Sequence, residues 1–192
     1  FRIATPGYVY EFPRDHGSHD DFRTEWWYYT GHLSAQNGRR FGFQVTFFRR
    51  AVGAEQVRTL PSRWTIRHLY LAHFAVSDID GRQFRYSEKI SREGLGKAGA
   101  DTGRLHVWTD RWIAEGVKDA PLSHRLSAEE DGIAVDLTLR QLKPPAIHGH
   151  AGISRKGEEI GQASHYYSLT RLGTDGRVTI DGETFQVTGA SW

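Results

Sequence analysis

The chain contains no cysteine and no methionine. The first absence rules out disulfides and thiolate metal sites, and it leaves the redox compartment open, because disulfide-free proteins occur on both sides of a membrane. The second extends to the first position: the sequence begins at Phe1 in a polar, strand-prone segment and reads as a processed, trimmed or incomplete chain. No apolar run approaches the roughly 18 residues that cross a bilayer as a helix, and no signal peptide is visible. Proline is scarce, 6 in 192 residues, too few for a disordered proline-rich polymer. An excess of one charge is also lacking. With 25 basic and 23 acidic residues the net charge is +2, and the pI near 8.9 reflects that small excess rather than a surface able to track phosphates, so no nucleic-acid partner is expected.

What is present is a β composition: 6 Trp, 8 Tyr, 10 Phe and 21 Gly. Ile133, Val135, Leu137 and Leu139 fall on every second position with polar residues between, as do Phe41, Phe43, Val45 and Phe47, the pattern of strands with one wet face. Asn37-Gly38, Asp80-Gly81, Asp131-Gly132, Asp175-Gly176 and Asp181-Gly182 accept the positive φ angles of hairpin turns. Strands are expected at about 25–34, 40–49, 65–77, 83–91, 104–109, 111–117, 122–128, 133–143, 164–172, 177–181 and 183–190. Arg92 to Thr102 is expected as a loop or lid, and Leu142 to Gly161 as a second long irregular connection. So many consecutive strands without long helices must close on themselves or form two layers to hide their edges, and an up-and-down antiparallel barrel over residues 25–192, preceded by an arm at 1–24, is favoured.

The densest chemical feature is Glu25-Trp26-Trp27-Tyr28-Tyr29-Thr30-Gly31. Alternation puts Glu25, Trp27 and Tyr29 on one face. A carboxylate among aromatic rings is either a proton donor with a raised pKa or a rim group in a salt bridge. A two-residue turn at Asn37-Gly38 would set residues summing to about 75 opposite one another, pairing Glu25 with Arg50 and Trp27 with Phe48, and leaving Arg49 one step off unless a bulge intervenes. An arginine partner would keep Glu25 ionised and favour orienting over proton donation. His73 lies in Tyr70-Leu71-Ala72-His73-Phe74-Ala75-Val76, apolar on both faces, and is either a satisfied core group or a proton-handling residue. His16 and His19 with Asp20 and Asp21, and His148 with His150, sit in turn-rich segments without the spacing of a metal site; they are taken as loop polarity, and neither a metal nor a cofactor is expected. Gly152-Ile153-Ser154-Arg155-Lys156-Gly157 is not a G-x-S-x-G nucleophile elbow.

Several motifs in order resemble the AttH and carotenoid 1,2-hydratase (CrtC) family: Phe12-Pro13-Arg14-Asp15-His16, Thr24 to Gly31, Phe47-Phe48-Arg49, Ala72-His73-Phe74, Lys143-Pro144-Pro145 with His148-Gly149, Tyr166-Tyr167-Ser168 and Ser191-Trp192. The resemblance implies a lipocalin-like (calycin) fold of two barrels, of which this chain is the first. It also implies a periplasmic or secreted location and action on lipids, carotenoids or other isoprenoids. A second barrel would bring residues of a shared cleft that this chain lacks. The expected function is therefore binding or processing of a hydrophobic small molecule, with Glu25 and His73 as candidate catalytic groups and Trp27, Tyr29, Arg49, Arg50, His148, Tyr166 and Trp192 as candidate ligand contacts. Two alternatives stand beside binding: a hydratase- or hydrolase-type enzyme using a buried carboxylate or histidine, and a structural envelope subunit at a membrane beside a transporter. The discriminating feature is a pocket and what lines it.

Overall fold

A computed structural model describes residues 1–53, 66–159 and 161–192, and every statement below concerns those residues. Eleven strands form one antiparallel sheet: β1 (Thr24–Ala35), β2 (Arg40–Ala51), β3 (His68–Asp78), β4 (Gln83–Arg92), β5 (Ala98–Ala100), β6 (His106–Thr109), β7 (Trp112–Val117), β8 (Ala120–Glu130), β9 (Ile133–Gln141), β14 (Leu172–Ile180) and β15 (Glu183–Ser191). Between β9 and β14 lie four short strands, β10 (Ala146–Ile147), β11 (Ile153–Arg155), β12 (Ala163–His165) and β13 (Tyr167–Ser168), paired β10 with β13 and β11 with β12. The described residues contain no α-helix, only a 3-10 turn at Arg14–His16.

The sheet order β4-β3-β2-β1-β15-β14-β9-β8-β7-β6-β5 is an all-β meander rolled into a nearly closed barrel, with its break between β4 and β5. Side chains bridge that seam. The Lys89 ammonium meets Glu130 at 2.6 Å and lies 4.8 Å over the Trp112 ring, while Ser87 donates to Asp131 at 3.0 Å. Alternation sorts the residues as expected: Phe41, Phe43, Val45 and Phe47 of β2, Ala72, Phe74 and Val76 of β3, and Ile133, Val135, Leu137 and Leu139 of β9 fill the interior. Burial of this apolar face supplies the main drive for closure.

Several expectations need correction. Asp175-Gly176 is not a turn: Gly176 lies inside β14 opposite Leu137 and Val187 with φ +148°, where a Cβ would collide with the Asp136 carbonyl oxygen. The glycine marks a close approach of backbones, and the strand expected at 177–181 is part of the longer β14. Residues 164–172 are not one barrel strand: they hold most of β12 and all of β13 of the small hairpins, and Leu172 begins β14. Arg92 to Thr102 is not all loop, since Ala98–Ala100 forms the edge strand β5. The β1–β2 register is Glu25 opposite Arg49 and Trp27 opposite Phe47, one residue away from the pairing expected. The loop has three residues, not two: Ala35 accepts from Gly38 and donates to Arg39 O, with Gly38 at φ +86°. The strand expected from residue 65 begins at His68, residue 65 itself lying outside the described residues.

Trp112 is fully buried and donates its indole N–H to Glu129 O at 3.0 Å. Trp112→Ala is expected to lower stability by about 3–5 kcal/mol in urea unfolding. Phe84→Ala, at a residue 66% exposed, should change it by less than about 0.5 kcal/mol.

Candidate ligand cavity and polar site

β1 is paired on both sides only from Gly31 onward; along Thr24–Tyr29 its sole strand partner is β2. The barrel wall therefore has a lateral gap. The first 23 residues and the β10–β13 segment pack around it, and a cavity of about 830 Å³ opens there. Its lining comes from both faces of β1. Inside the barrel are Glu25, Trp27, Tyr29 and His124, with His16 and Tyr167 beside them; on the outside are Trp26, Tyr28, Phe48 and Arg50 with Tyr166, Lys156 and Trp192. Lys156 reaches from the segment after β11 to lie 5.6 Å over the Trp26 ring and 4.9 Å over Tyr166.

At one end of the barrel the Arg49 guanidinium is fully buried. It donates to Glu25 from Nε at 2.9 Å and lies 2.7 Å from the same carboxylate through Nη2, which also donates to the carbonyls of His19 (3.0 Å) and Phe22 (2.8 Å). Glu25 further accepts from Ser18 Oγ and from the His19 backbone N–H, and its Oε1 lies 2.9 Å from His19 Nδ1. Burial alone would raise this carboxyl, but the His19 and Arg49 contacts outweigh it and hold Glu25 below its usual range. A carboxylate so engaged is an ionised anchor, not a proton donor. The bond to Glu25 raises the His19 imidazole against desolvation, and its Nε2 lies 3.3 Å from Asp15. Asp15 also accepts from Tyr8 (3.0 Å), the Glu11 N–H (2.8 Å) and Arg14 (2.7 Å).

Deeper in, two buried imidazoles meet with ring centroids 5.0 Å apart. His16 Nδ1 is 2.8 Å from the Tyr167 hydroxyl, which donates to Asp15 O; His124 Nδ1 is 3.1 Å from the Tyr29 hydroxyl. Trp27 donates its indole N–H to His16 O at 2.9 Å, so toward the cavity it presents only a ring. Desolvation lowers His16 to about 4 and His124 to about 3, and raises both phenols. Both imidazoles are neutral near pH 7.

The structure thus gathers Glu25, Trp27, Tyr29, Arg50, Tyr166 and Trp192 around one cavity, with Arg49 packed behind Glu25. His73 is elsewhere. It points away from the core, between inward-facing Ala72 and Phe74, toward a separate groove of about 600 Å³ with Phe84, Tyr86 and Glu88. His148 bonds Ser168 at 2.7 Å and packs on Tyr166 without lining the cavity. Neither His16 nor His19 is loop polarity; both hold the arm onto the barrel. His124 was legible in principle, since it shares the inward parity of Leu126 and Ala128, whereas no local signal marks His16 or Tyr167.

The AttH-like family model matches residues 3–192. The chain belongs to the AttH-like family. A crystal structure from Nitrosomonas europaea described as AttH matches all of the chain at 36% identity and TM-score 0.85, with 56% of its own length covered. Kievitone hydratase from Nectria haematococca matches 96% of the chain at 12% identity and TM-score 0.65, over 51% of its length, a likeness of fold alone. This AttH-like chain spans about half the length of these structures. Among curated proteins no sequence matches it.

Two outcomes follow from the charges. Glu25→Gln removes the hydrogen-bonded counter-ion of the buried Arg49, leaving only Asp20 at 3.9 Å, and should cost about 3–5 kcal/mol in urea unfolding. His16 and His124 have folded pKa values below the unfolded value near 6.5, so the unfolded chain takes up protons first and the stability present above that pH is lost as pH falls toward about 4 and about 3. His19, raised, contributes below its unfolded pKa and loses that contribution as pH rises through its folded value. Urea midpoints should therefore fall from pH 7 to 4.5, by roughly 2–3 kcal/mol for each neutral imidazole, and His124→Phe should flatten the slope.

Proposed function

We propose that this AttH-like chain binds a hydrophobic small molecule in the lateral cavity and holds its reactive or polar end against the His16–Tyr167 and His124–Tyr29 pairs. The observation that carries this is the lining. A space of about 830 Å³, large enough for a lipid- or isoprenoid-sized body, is walled by Trp26, Trp27, Tyr28, Tyr29, Phe48 and Leu169, with the two imidazole–phenol pairs at its inner end and Arg50 and Lys156 on its outer side.

A second reading, addition of water across an alkene, is favoured by the same end of the cavity. Two neutral imidazoles beside phenols can pass a proton to one alkene carbon while a water oxygen bonds to the other and its spare proton returns to the pair, a net gain of one water. Aromatic walls would shield the cationic carbon meanwhile. The fold likeness to kievitone hydratase and the motif resemblance to carotenoid 1,2-hydratases support this chemistry. In it Glu25 orients the arm that carries His16, and proton handling falls to the imidazoles.

Diphenylhexatriene, an uncharged fluorescent polyene, should bind saturably. Trp27→Ala is expected to weaken it about ten-fold or more, and His73→Ala to leave it unchanged. Undiminished binding to folded Trp27→Ala, or loss in His73→Ala, would move the site away from this cavity.

A further inference from the structure

The hydrogen bonds at the inner end of the cavity fix which groups remain free. A phenol carries one proton, and Tyr167 spends its own on the Asp15 carbonyl, which can only accept. With that proton on Asp15 O the Tyr167 oxygen accepts from His16, and we assign the proton of the neutral imidazole to Nδ1 and a lone pair to Nε2 on that basis. No protein group bonds that Nε2 among the described residues, and the ring lines the cavity. The facing pair has the opposite surplus. Tyr29 and neutral His124 together hold two protons and use one in their mutual bond. The other is left over, on His124 Nε2 if the phenol donates to Nδ1, on the Tyr29 oxygen if Nδ1 donates to the phenol. Either way one donor is unspent. With Trp27 satisfied by His16 O and Glu25 tied to Arg49, Ser18 and His19, the two facing pairs offer a neutral acceptor and a neutral donor from rings 5.0 Å apart, and no free charge; the unpartnered Tyr10 hydroxyl, on a ring 5.4 Å from that of Tyr167, adds one more neutral group.

We propose that the ligand is an uncharged hydrophobic alcohol whose hydroxyl donates to His16 Nε2 and accepts the unspent proton of the Tyr29–His124 pair, its apolar body lying between Trp27 and the aromatic wall. A hydroxyl both donates and accepts, as this end requires. A ketone or ether can only accept and would leave the His16 lone pair desolvated and unpaired; a carboxylate would bring a charge that nothing at this end neutralises. The inference rests on the cavity being the binding site, and it names the chemical class that the site selects.

The test compares all-trans retinol with its methyl ether, followed by quenching of tryptophan fluorescence at pH 7. The alcohol should bind about ten-fold or more tighter than the ether, the usual consequence of leaving one buried acceptor unpaired. In His16→Phe, checked for folding by circular dichroism, ether binding should persist and the preference for the alcohol should vanish. Equal binding of both probes to the wild type would overturn the alcohol assignment while leaving the cavity as a binding site, and so would a preference that survives in His16→Phe. Binding of neither probe would remove the cavity reading itself and this inference with it. The wild-type comparison decides the matter even if His16→Phe does not fold.

Discussion

A guanidinium with no access to water has to be neutralised where it stands, and Arg49 is such a group at the end of this barrel. Its partners dictate how the first 23 residues run. Glu25 supplies the charge, and the carbonyls of His19 and Phe22 accept from Nη2 while Nη1 has no partner among the described residues, so the polypeptide folds back across the barrel end to bring these groups there. That path then carries Asp15 and His16 inward and sets His16 beside Tyr167 and His124. The pair adds little net stability over an apolar substitute, because desolvation consumes most of the Coulombic gain. What it provides is a unique position for the arm, and every contact of His16 depends on that position.

The barrel was legible because its signal is local and repeated. Phe41 to Phe47 and Ile133 to Leu139 alternate strictly, and an alternating strand has only one way to bury its apolar face. Register was not legible to the residue. Asn37-Gly38 marks the place of the first hairpin, but whether the loop holds two residues or three depends on a hydrogen bond between Ala35 and Arg39 that no dipeptide encodes. The single-residue difference changes which arginine faces Glu25. Gly176 misled for a related reason: Asp-Gly in a turn and Asp-Gly at a close crossing of backbones are the same two letters.

The candidate site was legible in half. Glu25, Trp27 and Tyr29 follow from parity within one strand, and the structure keeps them on one face. His73 was drawn in by the apolar character of its strand, yet β3 has apolar residues on both faces because its outer face also carries Leu71 and Ala75, and parity assigns His73 to that outer face. The pairing of the buried imidazoles with phenols lay beyond reach. His16 and Tyr167 are 151 positions apart, and His124 and Tyr29 are 95 apart. Each looks like an ordinary polar residue until the arm and the β10–β13 segment are folded against the barrel.

The half-paired β1 has a consequence in time rather than in space. A ligand enclosed by a fully bonded barrel leaves only when strands separate or the mouth is unobstructed, but here the way past Trp26 is covered by side chains of the β10–β13 segment, Lys156 and Tyr166 foremost. Shifting those side chains breaks cation–π and ring contacts, not the sheet ladder, so for the proposed ligand the barrier to exchange would lie in a peripheral hairpin and the depth of the binding well in Trp27 and the inner pairs. For the ligand proposed above, a change in the outer segment would act on entry and exit alike, whereas a change at Trp27 or the inner pairs would alter affinity and residence time together.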